Sequence, residues 1–395
     1  RYNSYFGATA GYRGGPGIHQ TYIGGEAGLY ATGSYNTFVG SQAGEGGTTS
    51  APYSSGQYNT ALGYRALDAF TTAGFNIAIG PDALGTLSTA SNNMAIGYGA
   101  MQYTTTGGNT YNLAIGNYAM QHFTAGATGN GQNTIIGHNA GKGSSGNTTG
   151  EFNTALGYNA LNALTSGGSN VAIGRSAAAA LTTGGVNTII GRDAGAALTG
   201  TGDTVLIGYQ AGTAINSTDA NGTVAIGRQA GKAITSGQRQ TFLGYQAGYS
   251  STTGDENVFI GYQSGYSEVD GIGNIYIGKQ AGYTVGDGSY NVAIGEEAMK
   301  TSGTATDNNP AYNVAVGNQA MKGITTGDYN VSLGNQAGYD LTTGERNVLI
   351  GSNAGDNAST LGNSIGIGYQ SLGGANSTLL TGANASVAIG YQAAG

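Results

Sequence analysis

The chain has three histidines, His19, His122 and His138, and they fall at unrelated phases of its sequence. A metal centre needs imidazoles and carboxylates that converge at short range, and these three have no such company. Without cysteine there is neither a thiolate site nor a disulfide framework. Acids recur in one kind of segment, at Asp255, Glu256, Asp270, Asp287, Asp328 and Glu345. Stacked along one edge they would offer Ca²⁺ a row of oxygens. They keep no fixed position, however, and the Gly-Gly-x-Gly-x-Asp pattern of calcium-winding repeats is missing, so solvated turns are the expected reading. Glu296 and Glu297 have the composition of an acid–base pair for glycoside cleavage. On a strand they would point to opposite faces and diverge. The many Gly-x-Gly spacings follow from 76 glycines and carry no meaning as phosphate loops.

Tyrosine is the more informative residue, because its 27 copies fall in phase with a repeat. Tyr64, Tyr98, Tyr158, Tyr209, Tyr245, Tyr262, Tyr369 and Tyr391 directly follow a recurring glycine, and Tyr249, Tyr266, Tyr283 and Tyr339 come five after it. Residues 245 to 283 are therefore expected to present an aromatic ribbon of Tyr245, Tyr249, Tyr262, Tyr266 and Tyr283. Such a ribbon suits sugar rings, by stacking and hydroxyl hydrogen bonds, or burial against another fibre. The plainer reading is that aromatic columns stabilise stacked strands. Asn-x-Ser/Thr sequons at Asn147, Asn216, Asn221, Asn357, Asn376 and Asn384 are what chance produces in a chain rich in Asn, Ser and Thr.

The element that positions these residues is a short rung. Aligned on the glycine that closes each x-x-I-G, the sequence has 22 anchors from Gly7 to Gly390, and 13 of the 21 intervals are 17 residues. Seven run from 19 to 23, so the rung has a minimum length and its excess falls in one loop. The residue before each anchor is apolar, and the third before it is mostly Val, Thr or Ile, a period-two pattern that predicts a strand. The fourth before it is Asn in 16 copies, and the third after it is Ala in 20. Repeats of two helices need about 30 residues, so 17 rich in Gly and Thr exclude them.

The fold expected is all-β: a parallel β-solenoid (β-roll) of about 22 rungs over 1–395, one repeat domain. Two strands of about five residues meet at each glycine, and Ile and Val rows stack into a continuous core. The asparagines Asn257, Asn274, Asn291, Asn330 and Asn347 form an amide ladder. At ~4.8 Å per rung the rod is on the order of 100 Å long.

A net charge of −7 with 8% charged residues leaves no basic stripe for nucleic acid. No apolar run approaches the ~20 residues of a membrane span, so no membrane insertion is expected, nor any cofactor. The chain opens at Arg1, as a processed or partial chain does.

The segments SVAIGYQAAG (386–395), NVAIGEEAM (291–299) and NTALGYNAL (153–161) resemble the head repeats of trimeric autotransporter adhesins. They resemble still more the repeats of phage tail-fibre and other host-recognition fibre proteins. The resemblance covers Asn3 to Gly395; the adhesin heads have shorter rungs, and their neck, stalk and anchor have no counterpart here. It implies a homotrimer at the cell surface, outside the cell or on a virion. Ala61, Ala78, Ala95, Ala114, Ala155, Ala172, Ala225, Ala293 and Ala388 are expected to pack against neighbouring chains, the alternative being the interior of a single coil. The function expected is a non-enzymatic shaft that adheres to cell-surface glycan. An extracellular filament subunit stacking end to end is the second reading, and a polysaccharide-processing enzyme the third.

Overall fold

β-Branched residues on both sides of a central apolar residue favour extended backbone, and a segment repeated at fixed spacing finds its best partner in its own next copy. The structure, a computed structural model, describes residues 2–51, 53–104, 110–124, 131–144, 148–301, 303–304, 307–373 and 385–393. The sequons at Asn147, Asn376 and Asn384 lie outside these. The chain forms two compact units, Arg1–Gly202 and Asp203–Gly395. Among the described residues the first carries eleven strands, from β1 (Ser4–Phe6) to β11 (Thr188–Ile190), and the second eleven more, from β12 (Val205–Ile207) to β22 (Val387–Ile389). Within each unit successive strands pair in parallel with equivalent residues opposed. Tyr5 faces Tyr22 and Ala61 faces Ala78 in the first unit, Phe259 faces Tyr276 and Ala293 faces Ala315 in the second. The parallel β-solenoid with its 17-residue repeat is thus observed, and a short 3-10 turn spans Thr218–Ala220.

Each rung has one strand of three residues rather than two of five. The backbone just past the strand accounts for the difference. The anchor glycine has φ near +135°, for example 136° at Gly261, and a Cβ there would lie 2.4 Å from the carbonyl oxygen of Gly278. Only glycine allows both the angle and the approach. Beyond it the chain enters left-handed turns, with φ of 52° at Gln263 and 57° at Gly265, which no strand can incorporate.

The faces of the strand are also reversed from expectation. The middle residue points inward and the two flanking residues point out. Ala61, Ala78, Ala95, Ala114, Ala155, Ala172, Ala225, Ala293 and Ala388 are all buried within their own coil, so they are not an interchain face. The Ile and Val rows do not form the core. They line the outer surface of the sheet, where Leu62 is 47%, Leu243 43% and Ile275 37% exposed.

The interior is filled by a second rule. Where the middle residue is aromatic, as Tyr22, Phe38, Phe242, Phe259 and Tyr276, the fourth residue after the anchor is Gly28, Gly44, Gly248, Gly265 or Gly282. A Cβ at Gly282 would come within 2.5 Å of the Tyr276 ring. Where the middle residue is Ala61, Ala78, Ala95, Ala114 or Ala293, that place holds buried Leu67, Leu84, Met101, Met120 or Met299. In these rungs large and small residues exchange so that the cross-section stays filled, whereas Ala225 and Gly231 are both small and buried Ile234 fills the space instead.

Candidate functional site

Inside the coil runs a column of amides. Asn257, Asn274, Asn291, Asn330 and Asn347 are all fully buried. Asn257 Oδ1 accepts the Asn274 backbone N–H at 2.8 Å, and Asn274 Oδ1 that of Asn291 at 2.9 Å. The Nδ2 groups donate to turn carbonyls of the next rung, Asn257 to Gly271 and Asn274 to Gly288, each at 2.7 Å. Asn330 Oδ1 accepts the Asn347 N–H at 3.0 Å. Each side chain thus satisfies one donor and one acceptor that the tight coil would leave unpaired.

The tyrosines form two separate columns rather than one ribbon. Tyr245 and Tyr262 stack with ring centroids 5.3 Å apart, and Arg228 lies 5.7 Å from the Tyr245 ring. Tyr249, Tyr266 and Tyr283 stack at 5.0 and 5.1 Å. Lys232 covers the Tyr249 ring at 5.1 Å, and Lys300 the Tyr283 ring at 5.8 Å. Most of these ring faces are covered by one another and by the cations, while Tyr262 has a ring partner on one side only and is 47% exposed. Partial burial, and then the neighbouring phenols, push the Tyr266 hydroxyl above the usual tyrosine range.

A glutamine column, which the sequence pattern signalled through the recurring Gln-Ala-Gly, runs through the same turns. Gln229 Nε2 donates to Gln210 Oε1 at 3.0 Å, Gln246 to Gln229 at 3.0 Å, Gln263 to Gln246 at 2.9 Å and Gln280 to Gln263 at 3.1 Å. Glu297 occupies this column further on, where Lys300 and Lys322 each donate to it at 2.7 Å and Gln319 at 2.9 Å. These donors hold its carboxyl down to about 2. Glu296 pairs instead with Lys279 at 2.7 Å. Both glutamates follow β17 (Val292–Ile294) in a turn, not on a strand, and Glu297 is fixed in its ionised form. It has no proton to give a leaving group at neutral pH.

The loop acids are engaged in turns. Asp255 Oδ1 accepts the Gln238 N–H at 2.8 Å, Asp328 Oδ1 accepts that of Ala311 at 2.7 Å, and Asp270 accepts the Thr252 and Thr253 hydroxyls. Among the described residues no group of three or more His, Asp or Glu converges as a metal site would. The histidines replace rings in aromatic columns: His19 lies between Tyr2 and Tyr35, 5.3 Å from each, His122 stacks on Tyr103, and His138 on Tyr158.

One carboxyl is wholly interior. Glu268 occupies the place held by Val285 in the next rung; its Oε2 receives the Tyr276 hydroxyl at 3.4 Å, and its Oε1 has no partner. Burial pushes its pKa well above the usual carboxylate range, and burial does the same to the Tyr276 phenol. No substrate reaches either group.

The column that sequence reading missed lies five residues before the anchor. There Tyr2, His19, Tyr35, Tyr58 and Phe75 form one unbroken stack with centroids 4.8 to 5.3 Å apart. Tyr290, Tyr312 and Tyr329 form another, at 5.2 and 4.9 Å. The signal was an aromatic residue just before the ladder asparagine, as in Tyr35-Asn36 and Tyr58-Asn59.

A scan against protein-family models finds no match for this chain, nor does a search of curated proteins. Function therefore rests on the surfaces themselves.

Proposed function

We propose that this chain is a non-enzymatic fibre module, a rigid homotrimeric shaft that adheres to cell-surface glycan from outside a cell or on a virion. The observation that carries this reading is the outward aliphatic face of the sheet. Contiguous exposed apolar surface of this kind marks an interface. Its rows repeat at the strand spacing, and only a surface with the same rung height stays in register with it over many rungs. A further copy of the chain has that property. Three copies, rather than two, follow from the resemblance to trimeric fibre repeats. Adhesion is supported by the outer columns, which repeat one chemistry rung after rung and converge no reactive groups, as recognition requires and catalysis does not.

Light scattering tests the assembly: three times the 39.3 kDa chain mass is expected, and a single-chain mass overturns the trimer. Electron microscopy should show discrete rods; indefinite fibres would point to an end-to-end filament subunit. Glycan-array binding by the intact chain is expected, and polysaccharide depolymerisation by it would restore the enzyme reading.

A further inference from the structure

The aromatic column five residues before the anchor is interrupted at Asn92, and beyond Tyr111 the same position holds Gln132, Phe152 and Ser169. It runs through Tyr58 and Phe75, holds Asn92 at the next rung, and resumes with Tyr111. All three residues share the same left-handed backbone, with φ of 59° at Phe75, 62° at Asn92 and 59° at Tyr111. Their side chains therefore leave the coil at equivalent places beside β5 (Ile77–Ile79), β6 (Met94–Ile96) and β7 (Leu113–Ile115). In the unbroken part of the column each rung holds one ring, at a centroid spacing of 4.8 Å. Asn92 is too short to fill that step, so a slot one ring thick stands between Phe75 and Tyr111.

The slot is a depression of about 510 Å³ lined by Phe75, Asn92, Tyr111 and the outer sheet residues Ile77, Met94 and Leu113. Phe75 is 59% and Tyr111 63% exposed, against 41% for Tyr35 and 47% for Tyr58 inside the stack. The Asn92 side-chain amide, exposed between those two residues, is not hydrogen-bonded among the described residues.

We propose that this slot takes one pyranose ring of a surface glycan, entering edge-on as a chain end or branch. The proposal rests on the glycan-adhesion reading, assigns it a site, and requires that a second copy leave the outer sheet residues Ile77, Met94 and Leu113 uncovered. Two aromatic side chains lining one depression suit the axial C–H faces of a sugar. The amide behind them can both donate to and accept from ring hydroxyls. A purely apolar ring would leave that amide without a partner, a cost that a hydroxylated ring avoids. The Tyr245, Tyr249, Tyr262, Tyr266 and Tyr283 columns do not offer this, because their rings stack on consecutive rungs with no gap between them.

The test is saturation-transfer NMR of the intact chain with methyl pyranosides of glucose, galactose and N-acetylglucosamine, beside a glycan array. Asn92→Phe places a ring in the slot on a backbone angle that Phe75 already adopts, so this variant should keep its fold and unfolding midpoint. Tyr111→Ala removes one wall and leaves the slot open. Transfer to ring C–H protons is expected for the unsubstituted chain, and both variants should weaken binding about tenfold or more. Array binding that N92F retains would sink the slot while leaving adhesion standing. No binding to any array glycan or pyranoside would sink the slot, and a cell-adhesion assay would then decide the wider reading separately. Loss of the oligomer in N92F would show that a second copy, not a sugar, fills the gap.

Discussion

Two buried side chains show how much a single residue does in a coil this thin. Asn274 accepts one backbone N–H and donates to one turn carbonyl, both inaccessible to water. Asn274→Ala leaves the two unpaired, at ~1–3 kcal/mol each. A loss of about 2–6 kcal/mol is expected in urea unfolding, and a loss below about 0.5 kcal/mol would show that water replaces the amide. Glu268 works in the opposite direction. Its pKa is raised on folding, so the folded state binds the proton more tightly than the unfolded chain. Stability from this site is complete below the unfolded value near 4.5 and is lost as pH rises above it. Glu268→Val, the residue found at the same place in the next rung, should stabilise the chain more at pH 8 than at pH 4. Equal urea midpoints for the two proteins at both pH values would refute the neutral buried acid.

The rung is held to one cross-section by the exchange between the middle strand residue and the fourth residue after the anchor. Ala293 pairs with Met299, whereas Tyr276 in the rung before pairs with Gly282. Ala293→Phe alone overpacks the coil by about 1–3 kcal/mol, and Met299→Gly alone opens a cavity costing about 2–5 kcal/mol. Together they rebuild the pattern of the preceding rung and extend the Phe242, Phe259, Tyr276 ring column, whose centroids lie 4.8 and 4.9 Å apart. A double-mutant cycle should give a coupling of about 1–3 kcal/mol in favour of the pair; additivity would dismiss the exchange rule. Both halves of this rule are visible in the sequence as separate preferences. Their correlation from rung to rung becomes meaningful only once both side chains are known to share one interior.

For the proposed trimer, the outward aliphatic rows make the strongest demand. Leu243 and Ile294 belong to them, 43% and 36% exposed in the isolated chain. Leu243→Lys with Ile294→Lys should shift the light-scattering mass from three chains toward one while each coil keeps its circular dichroism, since neither side chain supports the interior. An unchanged mass would place the interchain contact on another surface. The alanine column cannot supply that contact, although its pattern suggests it, for a simple reason: alanine at a tight approach looks the same whether the neighbour is another chain or the far wall of its own coil.

Period, strand position, parallel in-register pairing and the asparagine column could all be read from the chain alone. A repeat of fixed length that is too short to bury its own apolar residues must stack on its copies, and stacking puts like side chains in line. Which face is interior could not be read, because both faces of the strand are apolar and alternation names two sides without choosing between them. The left-handed turns after each anchor made that choice: they bend the chain back over the middle residue of the strand and leave Ile and Val outside. The same turns divided the tyrosines into two columns and set Phe75, Asn92 and Tyr111 one above another, a relation that exists only when three rungs are stacked.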